Sequence, residues 1–155
     1  CGDNGGGQCD LPPLAAGQTY AQVAAGSDHT VCGDNGGGQC DLPPLAAGQT
    51  YAQVAAGSDH TVLLRSDGTA VACGANDRGK CNVPALDVGL SYTQVAGGFE
   101  HTALLRSDGT AVACGANDRG QCNVPALDVG LSYTQVAAGG SHTVLLRSDG
   151  TAVAC

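Results

Sequence analysis

The sequence predicts an all-β protein made of stacked three-stranded units, each about 41 residues long and shaped like a β-propeller blade. Three observations predict it. Cys32, Cys73, Cys114 and Cys155 recur at a constant 41-residue interval. Within each interval, short runs rich in Val, Thr and Tyr alternate with Gly, Asp-Gly and Ser-rich turn signals. No segment carries a helical apolar period of useful length. Three short strands cannot bury a face by themselves, so the units must stack on one another. A flat solenoid of hairpins is the other architecture that this pattern allows.

The full units are 32–72, 73–113 and 114–154. Residues 1–31 repeat 32–62 residue for residue and lack the counterpart of Leu63 to Ala72, and Cys155 begins a further unit. This phasing leads us to expect a section of a longer array. The unit 114–154 shows the elements in order. Ala116 to Gln121 are turn-formers, with Asn117 or Asp118 able to bond nearby backbone and Gly120 able to take a positive φ. Asn123-Val124-Pro125 is extended, because the residue before proline is kept out of the helical region. Ala126 to Leu131 reads as a loop or a single helical turn. Tyr133 to Ala138 is the first strand and His142 to Arg147 the second, joined through Gly139-Gly140-Ser141. Ser148-Asp149-Gly150 is a hairpin signal, and Thr151 to Ala154 is the third strand.

Composition narrows the function classes. The chain of 155 residues has no Trp, no Met, one Phe, nine Cys and a net charge of −8. A core so poor in large side chains needs reinforcement, and the cysteines are the residues available for it. The negative charge argues against nucleic acid or an anionic membrane as partner, since both are bound through basic patches. No apolar run approaches the roughly 20 residues of a membrane span, so insertion is not expected. No G-x-S-x-G, H-E-x-x-H or phosphate-loop pattern occurs, and no enzyme activity is expected. One histidine per unit (His29, His60, His101, His142) points to a structural role between units rather than a catalytic one. Asp3-Asn4 and Asp34-Asn35 sit in Gly-rich turns and fit turn chemistry better than calcium spacing, so neither metal nor cofactor is expected.

Together, Ala137-Ala138-Gly139, His142-Thr143, Leu145, Asp149-Gly150, Val153 and the Cys-Gly-x-Asn-x-x-Gly-Gln run at Cys114 to Gln121 resemble the regulator-of-chromosome-condensation (RCC1) repeat. The matches recur at Gly57, His60 and Asp67-Gly68, and at Gly98, His101 and Asp108-Gly109. The short period and Gln121-Cys-Asn-Val-Pro125 are most similar to the compact repeats of bacterial protein inhibitors of β-lactamases. The resemblance implies a seven-bladed propeller for the full array. It also marks a departure: where relatives carry Trp before the Gly and an apolar residue after the Gln, this chain has Cys.

Those cysteines form pairs with seven residues between them: Cys1 and Cys9, Cys32 and Cys40, Cys73 and Cys81, Cys114 and Cys122. Each pair is expected to close a disulfide across its Gly-rich turn, stabilising the unit by roughly 2.5 kcal/mol in the chain-entropy view. Pairing between adjacent units and reduced buried thiols are the alternatives, and close C-x₂-C zinc spacing is absent. Disulfides would place the protein in an extracellular or lumenal oxidising compartment.

Specificity is expected where units differ. Units 73–113 and 114–154 differ at five positions: Lys80/Gln121, Gly97/Ala138, Phe99/Gly140, Glu100/Ser141 and Ala103/Val144. The earlier units carry Ser27-Asp28 and Ser58-Asp59 before the His. Phe99, Glu100, Asp59, Ser141 and Lys80 are therefore the candidate partner contacts. The expected function is a non-catalytic module that binds a protein partner or neighbouring subunits of a larger assembly. A secreted enzyme inhibitor is the second reading, and a guanine-nucleotide exchange factor is a third, by resemblance alone.

Overall fold

The computed structural model describes residues 29–30, 32–33 and 35–155, with β-strands and turns but no helix among them. Two short strands, β1 (His29–Thr30) and β2 (Cys32–Gly33), pair with each other. Three antiparallel sheets of three strands follow, one per full unit. The first holds β3 (Tyr51–Ala56), β4 (His60–Arg65) and β5 (Ala70–Gly74). The second holds β6 (Tyr92–Gly97), β7 (His101–Arg106) and β8 (Ala111–Gly115). The third holds β9 (Tyr133–Ala138), β10 (Thr143–Arg147) and β11 (Ala152–Ala154). Each is a meander with the second strand in the centre, and the register repeats: Val54 opposes Leu63, Val95 opposes Leu104, and Val136 opposes Leu145. The run 126–131 is a loop, closed by the bond from the Leu131 amide to the Asp128 carbonyl.

The Ser-Asp-Gly hairpins behave as their residue types require. Gly68, Gly109 and Gly150 have φ of 82°, 81° and 86°. The carboxylate of Asp108 accepts the amide and the hydroxyl of Thr110, at 2.9 and 2.7 Å. These bonds, the hydroxyl's first, hold the Asp108 carboxyl below its usual range. The next unit also crowds the turn: a Cβ on Gly68 would come within 2.5 Å of the Ser91 Cβ.

The core lies between sheets. Val62 and Leu64 of one sheet pack against Tyr92, Val95 and Leu104 of the next. Ala103 and Leu105 repeat the contact with Tyr133, Val136 and Leu145. The central strands are thus covered on both faces, so His60 to Leu64 and His101 to Leu105 read as unbroken buried runs. Full burial of such a Leu or Val side chain stabilises by about 1.5–3 kcal/mol, and most of that gain needs the neighbouring unit.

The disulfides expected between Cys73 and Cys81 and between Cys114 and Cys122 are absent. Cys40, Cys73, Cys81, Cys114, Cys122 and Cys155 all carry thiols. Asparagine closes each turn instead. Asn76 accepts the Cys81 amide at 2.9 Å and donates to Asn82 at 2.8 Å. Asn117 repeats both bonds with Cys122 and Asn123 at 2.9 and 2.8 Å, and Asn35 repeats them with Cys40 and Asp41 at 2.7 and 2.8 Å. The two thiols of a unit also serve different carbonyls. Cys114 Sγ reaches back to Lys80 O at 3.7 Å, in the turn that ends at Cys81, while Cys122 Sγ donates to Ala116 O in its own turn at 3.2 Å. Cys1 and Cys9 lie outside the described residues, and Cys32 is described only as part of β2.

Candidate functional site

The turns before the histidines line up side by side at one end of the sheets. Glycine is required in them because the His ring lies against it: a Cβ on Gly98 would meet His101 Cε1 at 2.2 Å, and one on Gly57 would meet His60 Cε1 at 2.1 Å. This explains the recurrent Gly-x-x-His spacing. The turns are also tied to one another. Ser58 Oγ donates to Phe99 O at 2.6 Å, and the Phe99 amide donates to Gly139 O at 3.2 Å. Ser58 is buried beneath this contact. Phe99, fixed through its backbone on both sides, keeps 52% of its side chain exposed.

Four of the five sequence candidates lie on this row. Asp59 is half-buried, with Oδ2 2.8 Å from the Ser58 hydroxyl oxygen, while its carbonyl accepts the Ala75 amide at 2.8 Å. Glu100 is half-buried, and its carbonyl accepts the Ala116 amide at 2.8 Å. Ser141 is exposed on the next turn, beside Gly140. Lys80 is a correction. It is only 2% exposed, with its ammonium 3.1 Å from Asp77 Oδ1. Its counterparts Gln39 and Gln121 are equally buried and accept the amides of Gly37 and Arg119 at 2.9 Å. The position packs beneath its turn, so the change from Gln to Lys is internal and not a surface contact. The ammonium holds the Asp77 carboxyl below its usual range, chiefly through their hydrogen bond.

Beneath the row runs a buried polar relay between units. Thr143 Oγ1 donates to Gln121 O at 2.7 Å, so His101 Nε2 at 2.9 Å must be the donor to that hydroxyl. His60, Thr102 and Lys80 O repeat the arrangement at 2.9 and 2.8 Å. Burial pushes the His101 pKa down, which keeps the ring neutral. The histidines therefore couple neighbouring units, as one histidine per unit suggested.

A groove of about 490 Å³ runs along the first strands, between Ala52, Gln53, Thr93, Gln94, Thr134 and Gln135. Its lining has no titratable group, and among the described residues no three potential metal ligands come together. Sequence reasoning missed two features. Val88 and Val129 are fully exposed at turn tips beside Gly89 and Gly130; the Asp-Val-Gly-Leu turn was the available signal. Val144, counted only as a differing position, is 37% exposed on the face of the last sheet.

The regulator of chromosome condensation (RCC1) repeat profile matches residues 51–80 and 92–121. No curated protein matches the sequence significantly. Solved structures share the fold. Human WBSCR16 aligns over 90% of this chain and 48% of its own, at 20% identity and a TM-score of 0.77. Prp20p from Saccharomyces cerevisiae aligns over 72% of this chain and 32% of its own, at 24% identity and a TM-score of 0.61. The ectodomain of the receptor kinase CR4 from Physcomitrella patens aligns over 72% and 31%, at 19% identity and a TM-score of 0.55. The chain thus spans about a third to a half of these neighbours.

Proposed function

We propose that this chain, a partial propeller array of RCC1-type repeats, is a non-catalytic protein-binding scaffold that engages its partner through the row of turns carrying Asp59, Phe99, Glu100 and Ser141. One observation carries the reading: Phe99 is 52% exposed on a turn bonded to both neighbouring turns. An aromatic ring held on a rigid backbone loses little freedom on binding, and such residues dominate interface energetics. Asp59 and Glu100 flank it, so the partner surface is neutral to basic. One structural neighbour, Prp20p (yeast RCC1), is described with binding to Gsp1p and histones in one structure and with bound Kap60 in another, which supports protein recognition on this fold.

The proposed setting is extracellular or lumenal; its support is cysteine content alone, nine in 155 residues, because the expected disulfides are not formed in this structure. Alkylation of the native protein followed by mass measurement tests it; nine modified thiols would point to a reducing compartment. For the binding row, a photo-cross-linking residue at position 99 is expected to capture a discrete protein partner, and the same group at position 129 is not. Phe99→Ala is expected to weaken that complex by roughly 30-fold or more. Equal capture from both positions, or an unchanged affinity of the alanine variant, removes the row from consideration.

A further inference from the structure

We infer that the cysteines facing each other across the seams between units are an oxidation site. Cys81 pairs with Cys114 and Cys122 with Cys155, Cys40 and Cys73 repeat the arrangement, and each disulfide clamps one unit to the next. The site uses none of the residues of the partner-binding row. Three copies of one contact carry the inference. Cys73 Sγ lies 3.6 Å from Gln39 O, Cys114 Sγ 3.7 Å from Lys80 O, and Cys155 Sγ 3.7 Å from Gln121 O. In each copy the carbonyl belongs to the residue just before a cysteine of the preceding unit. Fixed peptide geometry therefore puts Cys114 Sγ within roughly 6.5 Å of Cys81 Cα. The same carbonyls pin the seam: Thr102 Oγ1 donates to Lys80 O at 2.8 Å, and Thr143 Oγ1 to Gln121 O at 2.7 Å. Thr102 stands opposite Cys114 in the β7–β8 register, so the two side chains reach across together.

The competing partner of Cys114 is Cys122 in its own turn. Burial first, then Cys122, then Cys81 raise the Cys114 pKa, so this thiol stands between the two. The turn itself needs no staple. Asn117 closes it through the Cys122 amide at 2.9 Å and through Asn123 at 2.8 Å. The Cys122 thiol is turned onto the Ala116 carbonyl at 3.2 Å. A bond across the seam closes the loop 81–114, far longer than 114–122, and so constrains the unfolded chain more. Cys81 Sγ rests 3.5 Å from Ala75 O, and a change of its staggered rotamer brings it across. The oxidant is a small-molecule disulfide. The Cys81 thiolate attacks one sulfur of oxidised glutathione and releases one glutathione thiolate. The Cys114 thiolate then attacks the Cys81 sulfur of the mixed disulfide, forms the protein S–S bond and expels the second glutathione. Two protein thiols are oxidised, one disulfide is reduced to two thiols, and the two protons end on glutathione. Stacked units open one by one; units joined at their seams separate only when a covalent bond breaks.

The test is disulfide mapping of the full chain, oxidised by oxidised glutathione and taken from the monomeric fraction. Trypsin cuts after Arg65, Arg78, Lys80, Arg106, Arg119 and Arg147, which puts Cys73, Cys81, Cys114, Cys122 and Cys155 on separate peptides. Peptides 66–78 and 107–119 are identical, so the mapping uses Arg78→Lys. That residue is exposed, and the change keeps the cleavage while giving 66–78 its own mass. We expect 81–106 joined to 107–119, and 120–147 joined to 148–155. Amide exchange of β9 and β10 should slow by roughly tenfold or more on oxidation and recover on reduction. Predominant joining of 107–119 to 120–147 or of 66–78 to 81–106, thiols that stay free in the oxidant, or unchanged exchange would each overturn the inference. Phe99→Ala should not alter the map, so failure of the clamp and failure of the partner-binding row are separable.

Discussion

Replacing Thr143 by Val tests whether the polar relay holds neighbouring units together. The hydroxyl lies at 0% exposure, accepts from His101 Nε2 at 2.9 Å and donates to Gln121 O at 2.7 Å. Valine has nearly the same shape, so the change opens almost no cavity but leaves the His101 Nε2–H without a partner and Gln121 O with only the weak Cys155 thiol bond at 3.7 Å. Each such group costs about 1–3 kcal/mol, for a total of about 2–5 kcal/mol after some relaxation. Thr143→Ser keeps both bonds and loses one methyl, which costs about 0.8–1 kcal/mol. At about 2–4 °C per kcal/mol for a chain of this size, serine should lower Tm by roughly 2–4 °C and valine by roughly 4–20 °C. Calorimetry on the two variants reads the difference. Repeat arrays can open unit by unit, so amide exchange on β9 and β10 should show the loss concentrated in the last sheet. If valine proved as mild as serine, the relay would contribute no more than packing and its role between units would be refuted.

Two further outcomes follow from the corrected residues. Lys80→Gln should raise stability by about 0.5–1.5 kcal/mol, because it removes a covered ammonium and restores the amide acceptor seen at Gln39 and Gln121; a lower Tm would contradict this account of the position. Burial first, and neighbouring thiols second, push the pKa of Cys73 up to about 11 and of Cys114 up to about 12. Only the thiolate alkylates, so their rates should climb about tenfold per pH unit past pH 9, where an ordinary thiol of pKa about 8.5 has levelled off. Peptide-resolved mass spectrometry after timed iodoacetamide exposure checks it, and a plateau near pH 9 for Cys114 would count against a buried thiol.

Much of the fold was legible because its signals are local. Strand β9 runs from Tyr133 to Ala138 as read from the sequence, and β10 and β11 each start one residue later than expected. The Asp-Gly hairpins and the Gly-His spacing were equally readable, since positive φ and close approach leave few residue choices. The cysteine turns were misread because spacing shows that two side chains can meet, not which group closes the turn. Asn76 and Asn117, two short amides already inside the loop, satisfy the turn's backbone and leave the thiols to bond carbonyls. Lys80 was counted among the partner contacts because it differs between units; its burial comes from the turn folding over it.

The sequence by itself determined the period, the three strands of each unit, the turns and the glycines beside the histidines. All of these depend on backbone conformation within a few residues. Tertiary structure alone decided which faces are covered. Val62 and Val144 stand in the same His-Thr-Val-Leu-Leu-Arg run, yet one is 0% and the other 37% exposed. The difference arises because the core of this protein lies between units. A side chain's burial is set by the sheet stacked on it, and no window of sequence around the residue contains that sheet.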